Sequence, residues 1–275
     1  MTPTQTLRTN ATFMTPAALV GIAVVLPPLA YTLFTSLNGP HLSLAPIESV
    51  LGSNLFRQTL RTTIYVAGLS AIASVLLGYI IALHLAVQRP RRRAFLMILV
   101  LLPLWTSILV KAFAFMLILG REGIINNFLS WVFQTKVELP LILNLFGLLV
   151  GMTSYLVPLV VLPVLASLLA IDEKIYRAAS VMGATPHRIF WTVTVPLSLP
   201  GLFAALLSVF VLSLGAFMVP ALLGGPKDVM LSNLVDFYNR QILDWPKASA
   251  ISVVLLSMAL LIAIPLATWR RKKTV

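Results

Sequence analysis

Apolar residues along this chain fall into six long blocks separated by short polar connectors. The blocks cover residues 13–36, 62–88, 94–119, 141–169, 198–223 and 249–269, and they are nearly free of charge. A helix needs about 20 residues to cross a hydrocarbon core roughly 30 Å thick, and each block meets that length. No water is available there to pair free backbone groups, so an open strand is excluded and helix is the predicted state. The pattern therefore predicts an all-α integral membrane protein with six transmembrane helices, in a single domain over 1–275. The first block follows an arm bearing only Arg8. Its length and the lack of a small-residue cleavage site set it apart from a signal peptide, so it reads as an uncleaved first span.

Composition supports the bilayer as solvent. The chain is 59% hydrophobic and 10% charged, with mean hydropathy +0.97, whereas soluble domains carry about 45–50% apolar and about 25% charged residues. There is no Cys, which excludes disulfides, thiol nucleophiles and thiolate metal sites. The net charge of +12 matters through its placement. Twelve Lys and Arg lie on one side of the six-span scheme: Arg8, Arg89, Arg91, Arg92, Arg93, Lys174, Arg177, Arg188, Arg270, Arg271, Lys272 and Lys273. Seven lie on the other: Arg57, Arg61, Arg121, Lys136, Lys227, Arg240 and Lys247. Basic residues accumulate on the cytoplasmic side, so both termini are predicted to be cytoplasmic, and the clusters read as topology signals rather than nucleic-acid contacts.

Two connectors on the opposite side carry apolar residues at helical spacing. Ile125, Phe128, Leu129 and Val132 recur within 121–138, and Leu231, Leu234, Val235, Tyr238 and Ile242 within 227–247. Each predicts an interfacial helix, or one packed on the bundle. Proline recurs within the spans at Pro27, Pro28, Pro103, Pro158, Pro163, Pro220 and Pro265, which predicts bent helices whose freed carbonyls are satisfied by neighbours.

The connector 170–197, AIDEKIYRAASVMGATPHRIFWTVTVPL, is the most informative. Asp172 is placed to cap a helix, with Glu173 in its first turn. Ile171, Ile175, Ala178, Ala179 and Met182 share an apolar face, Gly183 stops the helix, and Thr185-Pro186 starts another. The product is a helix, a sharp turn and a second helix. Its small-residue face, about 15 Å long by helical rise, suits insertion into a groove on another protein.

Ala178, Ala179, Gly183, Val193, Val195 and Pro196 stand at the spacing of the EAA motif, and here the chain resembles the membrane-spanning subunits of binding-protein-dependent ABC importers. Arg177 occupies the place of the motif glutamate, and Val193 and Val195 replace Ile and Leu. The stretches 78–86, 101–129 and 215–235 resemble the spermidine/putrescine branch, which also serves ferric iron, phosphonates and other small solutes. The resemblance implies a type I importer permease (MetI-like) fold with a cytoplasmic coupling helix, in the cytoplasmic (inner) membrane of a bacterium. It further implies a second permease subunit, a paralogue or a copy, a cytoplasmic ABC ATPase dimer and an extracytoplasmic solute-binding protein. Contact with the ATPase would fall to Ile175, Arg177, Ala178, Ala179, Met182, Gly183 and Pro196. The chain has no phosphate loop of the G-x-x-x-x-G-K-[ST] type, so ATP and Mg are expected on the partner, with no cofactor here and no enzymatic activity of its own.

Pathway or gate candidates are Lys111, Trp105, Tyr155, Phe217, Pro220, Gly224 and Gly225. Lys111 is the one formal charge well inside a block. A charge at that depth must be paired, hydrated or functional, and structural pairing and pathway lining both remain open. Its sign disfavours a polycation as its direct contact. Trp131, Trp245 and Trp269 fit an interfacial belt. His41, His84 and His187 form no metal-ligand spacing with each other or with carboxylates, so no metal site is expected. An ion-gradient-driven secondary transporter is the alternative reading, but it calls for intramembrane carboxylates, and the eight Asp and Glu all lie in connectors.

Overall fold

The computed structural model describes residues 3–37 and 42–272, with side chains described for 19–37 and 42–264. Arg8, His41, Trp269 and the basic cluster at 270–273 lie outside those side chains. The described residues are helical, without strands. In chain order the helices are α1 (Pro3–Ser36), α2 (Ala45–Gly52), α3 (Asn54–Ala86), α4 (Pro90–Trp105), α5 (Ile108–Leu119), α6 (Ile124–Phe133) and α7 (Leu145–Leu169). They continue as α8 (Glu173–Val181), α9 (Pro186–Ile189), α10 (Val195–Leu214), α11 (Met218–Leu223), α12 (Leu231–Asp236) and α13 (Trp245–Lys272). Five stretches are long and apolar enough to cross a membrane: Leu19–Ser36, Asn54–Ala86, Leu145–Leu169, Pro186–Leu214 and Trp245–Ile264. The pair α4 with α5–α6 makes a sixth, bent by 94°.

Two compact units divide the chain, one of residues 1–56 with 234–256 and one of 57–233 with 257–275. In the first, Ser53 Oγ accepts from Phe56 N at 3.1 Å and so starts α3, and nearly all described side chains of α1 between Leu19 and Phe34 are exposed. The second unit holds the main apolar core, centred on α7. Leu148, Met152, Leu156, Val160, Val161 and Val164 are all inaccessible. With Gly151, Pro158 and Leu165, also buried, they cover most of the circumference of α7, as expected of a helix with neighbours on several sides.

Lipid tails are as apolar as leucine, so such helices associate through close packing rather than through water exclusion. Small residues provide that closeness at the α7 contacts. A Cβ at Gly78 of α3 would come within 2.6 Å of Val160 Cγ1, and one at Gly201 of α10 within 2.8 Å of the Pro163 carbonyl. At Gly151 of α7 it would overlap Leu223 and Val219 of α11.

The expected continuous helix over 94–119 is two helices. Thr106 and Ser107 are extended, with ψ of 136° and 133°. Pro103 withholds one amide from the ladder, and Thr106 Oγ1 turns back onto the Leu102 carbonyl at 3.3 Å, competing with helical continuation. The expected 198–223 helix likewise breaks at Gly215–Phe217, between α10 and α11. Its N-terminal extension, Phe190–Thr194, is a π-helical turn in which Val195 N–H donates to the Phe190 carbonyl. Pro196, without an N–H, follows at once, and an interrupted ladder of this kind produces such widened turns.

Gly78→Ala has a diagnostic sign. Glycine to alanine inside a helix ordinarily gains about 0.5–1 kcal/mol, but at position 78 the methyl group meets the β-branched Val160, an overpacking cost of about 1–3 kcal/mol. Gly68→Ala in the same helix, where the nearest atom is Phe210 Cε2 at 3.9 Å, is neutral or stabilising. Thermal unfolding of both variants in detergent checks the contrast.

Candidate functional site

The segment 170–197 folds as its residues dictate. Asp172 Oδ1 accepts from Lys174 N at 2.9 Å and caps α8. At the other end Gly183 has φ +80°, a left-handed conformation that glycine adopts without cost. Gly183 N donates to the Ser180 carbonyl at 3.0 Å and Ala184 N to the Ala179 carbonyl at 3.1 Å, which together close a Schellman turn. Thr185 Oγ1 accepts from Arg188 N at 3.4 Å and starts α9 at Pro186. A Cβ on Gly183 would meet open space, so backbone conformation alone selects glycine there.

The face expected to be continuous is divided. Ala179 is buried and turns inward with half-buried Tyr176 and Ile171. Ile175 and Ala178 are exposed, as are Val181 at 88% and Met182 at 80%. Val181, absent from the expected set, therefore belongs to the outward apolar surface, and Ala179 does not. Arg177 projects into solvent and pairs with Glu173 one turn earlier at 3.1 Å. Exposed i,i+4 pairs of this kind contribute at most a few tenths of a kcal/mol.

Hydrogen bonds tie the segment to the bundle. Tyr176 Oη lies 3.3 Å from Thr194 Oγ1 in the π-helical turn. Ser198 Oγ, one turn into α10, donates to the Val195 carbonyl at 3.0 Å and meets Tyr79 Oη of α3 at 2.9 Å. Neither tyrosine was singled out by sequence pattern. The available signal is chemical, since a half-buried phenol needs a partner for its hydroxyl.

At the opposite end of the bundle, each helix break is closed by a polar side chain. Lys111 Nζ donates to the Pro103 carbonyl at 2.7 Å and sits 5.5 Å from the centre of the Tyr155 ring. It thus satisfies an orphaned carbonyl at the end of α4 and adds a cation–π contact with α7. Of the two open readings for Lys111, this geometry supplies the structural pairing. Asn126 of α6, only 1% exposed, donates to the carbonyls of Gly120 and Leu139 and accepts from Leu139 N, at 2.9–3.0 Å. Asn233 Nδ2 donates to the Phe217 carbonyl at 3.2 Å, Ser232 Oγ donates to the Ala216 carbonyl, and Thr63 Oγ1 of α3 accepts from Leu231 N at 2.8 Å.

These contacts revise the expected apolar stripes. On α6, Ile125 and Leu129 turn inward beside Asn126, while Phe128 and Val132 are exposed. Leu231 and Leu234 are buried rather than offered to an interface, and Ile242 is exposed. The signal missed on α6 was the amide pair Asn126–Asn127 within an apolar helix, of which the structure buries Asn126 and leaves Asn127 exposed.

The pathway candidates are brought together in part. Tyr155 and Phe217 line one cavity of about 390 Å³, with Ile108, Met152 and Met218. Lys111 borders a separate cavity of about 250 Å³. Trp105 stands apart, 78% exposed at the end of α4. Pro220 is buried in α11. Gly224 ends that helix where a Cβ would lie 2.6 Å from the Pro220 carbonyl, and Gly225 N–H donates to Asp228 Oδ2 at 3.0 Å.

The sequence profile described as binding-protein-dependent transport system inner membrane component matches residues 74–270. The spermidine/putrescine transport system permease protein PotB of Haemophilus influenzae is 30% identical, over 83% of this chain and 82% of its own length. The inner membrane ABC transporter permease protein YdcU of Escherichia coli is 32% identical, over 80% and 74%. In fold, the chain is similar to the crystal structure of a bacterial alginate ABC transporter in complex with an alginate pentasaccharide-bound periplasmic protein, with TM-score 0.74, 19% identity and coverage of 96% and 94%.

Lys111→Met keeps length and removes the donor. It strands the Pro103 carbonyl in an apolar setting, with an expected loss of about 1–3 kcal/mol, whereas Lys111→Arg keeps the donor and most of the stability. Thermal unfolding in detergent reads both variants. A Met variant as stable as the parent would remove the pairing role.

Proposed function

We propose, because this chain belongs to the family of binding-protein-dependent transport system inner membrane components, that it carries a small organic cation of the spermidine/putrescine class across the membrane. The chain is a permease subunit of an ABC importer, a multi-pass protein of the inner membrane. Our reading adds a second permease, a copy or a paralogue, facing it across the pathway. A cytoplasmic ATPase pair binds ATP and Mg, and an extracytoplasmic binding protein delivers the solute. Both termini and the α8–α9 segment are cytoplasmic, as the twelve-to-seven distribution of basic residues supports.

One observation carries the mechanical part. α8 is anchored through Tyr176 to the π-helical turn that leads into α10, yet it presents Ile175, Ala178, Val181 and Met182 outward. An anchored helix with an uncovered apolar face fits a groove on the ATPase. Arg177, in place of the motif glutamate, carries its charge beside that face and suits an acidic neighbour on the partner. When nucleotide closes the ATPase pair, α8 moves with it. Its hydrogen bond to Thr194 and the Ser198–Tyr79 contact then pass the displacement to α10 and α3.

The cavity between Tyr155 and Phe217 suits a cationic solute through the Phe217 ring, the Tyr155 ring already meeting the Lys111 ammonium, with Pro220, Gly224 and Gly225 at its outer margin as the gate. None of its lining residues is acidic, so affinity resides mainly in the binding protein. The objection raised by the sign of Lys111 is lessened, since Lys111 borders a separate cavity and is not among the residues lining this one. The similarity to permeases of the spermidine/putrescine system supports the solute class.

Val181→Asp with Met182→Glu places two charges on the outward face, and burying them unpaired would weaken ATPase docking at least tenfold. Recovery of the ATPase with the tagged permease should fall accordingly, while the amount of permease in the membrane stays unchanged. Full recovery of the complex would overturn the docking assignment. For the solute, uptake of radiolabelled spermidine by cells expressing the complete importer should be suppressed by excess putrescine and left unchanged by a phosphonate. The reverse pattern would overturn the polyamine reading.

A further inference from the structure

Two apolar cavities adjoin along α3 and α4, the larger floored by α7 and the smaller lined by α3 and α4 alone. Their volumes are about 700 and 450 Å³, and they share Ile81, Leu99 and Val100, so they form one continuous groove. On α3 the groove extends from Ala73 to Leu85, twelve residues or about 18 Å. That is close to half of a hydrocarbon core about 30 Å thick, the depth of one leaflet. Leu77, Ile80 and Leu99 on its walls are exposed, so the groove opens on the side of the helices.

The charge is at one end. Beyond His84 and Leu85 the chain turns through Arg89, Arg91, Arg92 and Arg93. Arg93 folds back and donates to the carbonyls of Gln88 at 2.9 Å and Ala86 at 3.5 Å, closing the end of α3, and its buried Nε is left without a partner. Arg89, Arg91 and Arg92 are exposed, and no ion pair among the described residues engages them. An apolar channel one leaflet deep, ending in three uncommitted guanidinium groups, matches a molecule with a hydrocarbon tail and an anionic head.

We propose that this groove binds one anionic phospholipid, with an acyl chain along α3, α4 and α7 and the headgroup phosphate held by Arg89, Arg91 and Arg92. Guanidinium groups match phosphate oxygens in bidentate geometry, and each basic residue near an anionic headgroup strengthens attachment roughly fivefold. A zwitterionic lipid would fill the groove too, but its cationic group offsets the phosphate charge that attracts the arginines. A helix of a second subunit would have to bring carboxylates to the same level. The site uses no residue of α8 or of the Tyr155 cavity, so it stands or falls separately from the coupling and solute assignments.

The test places the complete importer in phosphatidylcholine nanodiscs doped with a trace of phospholipid bearing a photoactivatable acyl chain. The headgroup of this probe is either phosphatidylglycerol or phosphatidylcholine, and the attachment sites are mapped by mass spectrometry. Phosphatidylglycerol is expected to label groove residues such as Leu77 and Leu99 at least about tenfold more than phosphatidylcholine. The excess should disappear in Arg89→Gln/Arg91→Gln/Arg92→Gln and persist in the corresponding triple Lys variant. Equal labelling by the two headgroups, labelling by neither, or a preference that survives the Gln changes would each overturn the proposal. If the Gln variant does not insert, the headgroup comparison on the unaltered chain still decides, together with Leu99→Trp, which fills the groove and should remove the labelling.

Discussion

A helix interrupted inside a hydrocarbon medium exposes carbonyls and amides that no solvent can pair, and the arrangement of this protein depends on how those groups are satisfied. At the break between α4 and α5 the work is done by Thr106 and Lys111, and at the break between α10 and α11 by Ser232 and Asn233. Asn126 does the same for the turn between α5 and α6. Most of these side chains reach across a bend or come from a segment distant in sequence, so each repair also fixes the position of a second element. The irregular backbone near the Tyr155 cavity is thereby held in one geometry.

Packing around α7 supplies the complementary constraint. In lipid there is little gain from burying one more leucine, and close approach of helices depends on small residues. Gly78, Gly151 and Gly201 bring α3, α11 and α10 against the central helix at distances where no Cβ fits. The same compactness makes relative motion of these helices a matter of rigid pieces rather than of continuous deformation. Hydrogen bonds join α8 to the turn before α10 through Tyr176 and Thr194, and α10 to α3 through Ser198 and Tyr79.

The two ends of the bundle carry different chemistry. At the α8 end, charge lies on exposed turns: Arg177 pairs with Glu173, Arg93 closes α3, and the rest of the arginine turn at 89–92 stays available. At the other end, short-range pairs such as Lys136–Glu138, 2.5 Å apart, hold charges locally. The hydrogen bond between those two keeps the Glu138 carboxyl below its ordinary range and the Lys136 ammonium above its own. Both are exposed, so the pair contributes little stability.

What the sequence by itself determined is the part of the structure that local rules control. Six apolar blocks of membrane length, the caps Asp172 and Thr185, the stop at Gly183 and the order Ala178–Ala179–Gly183–Pro196 are properties of contiguous residues, and they specified an all-helical permease with a projecting helix pair. The division of the α8 face could not be read locally, because Ala179 and Met182 share one side of a helical wheel and only the bundle beneath decides which of them it covers. The two breaks within expected spans were also tertiary decisions. Pro103 and Gly215 permit a bend, but a bend persists only where Lys111 or Ser232 reaches the freed carbonyls. Lys111 shows the difference most clearly: its sequence context poses a costly charge in an apolar helix, and the carbonyl that answers it becomes a neighbour because the helix breaks between α4 and α5, where the chain bends by 94° into α5–α6.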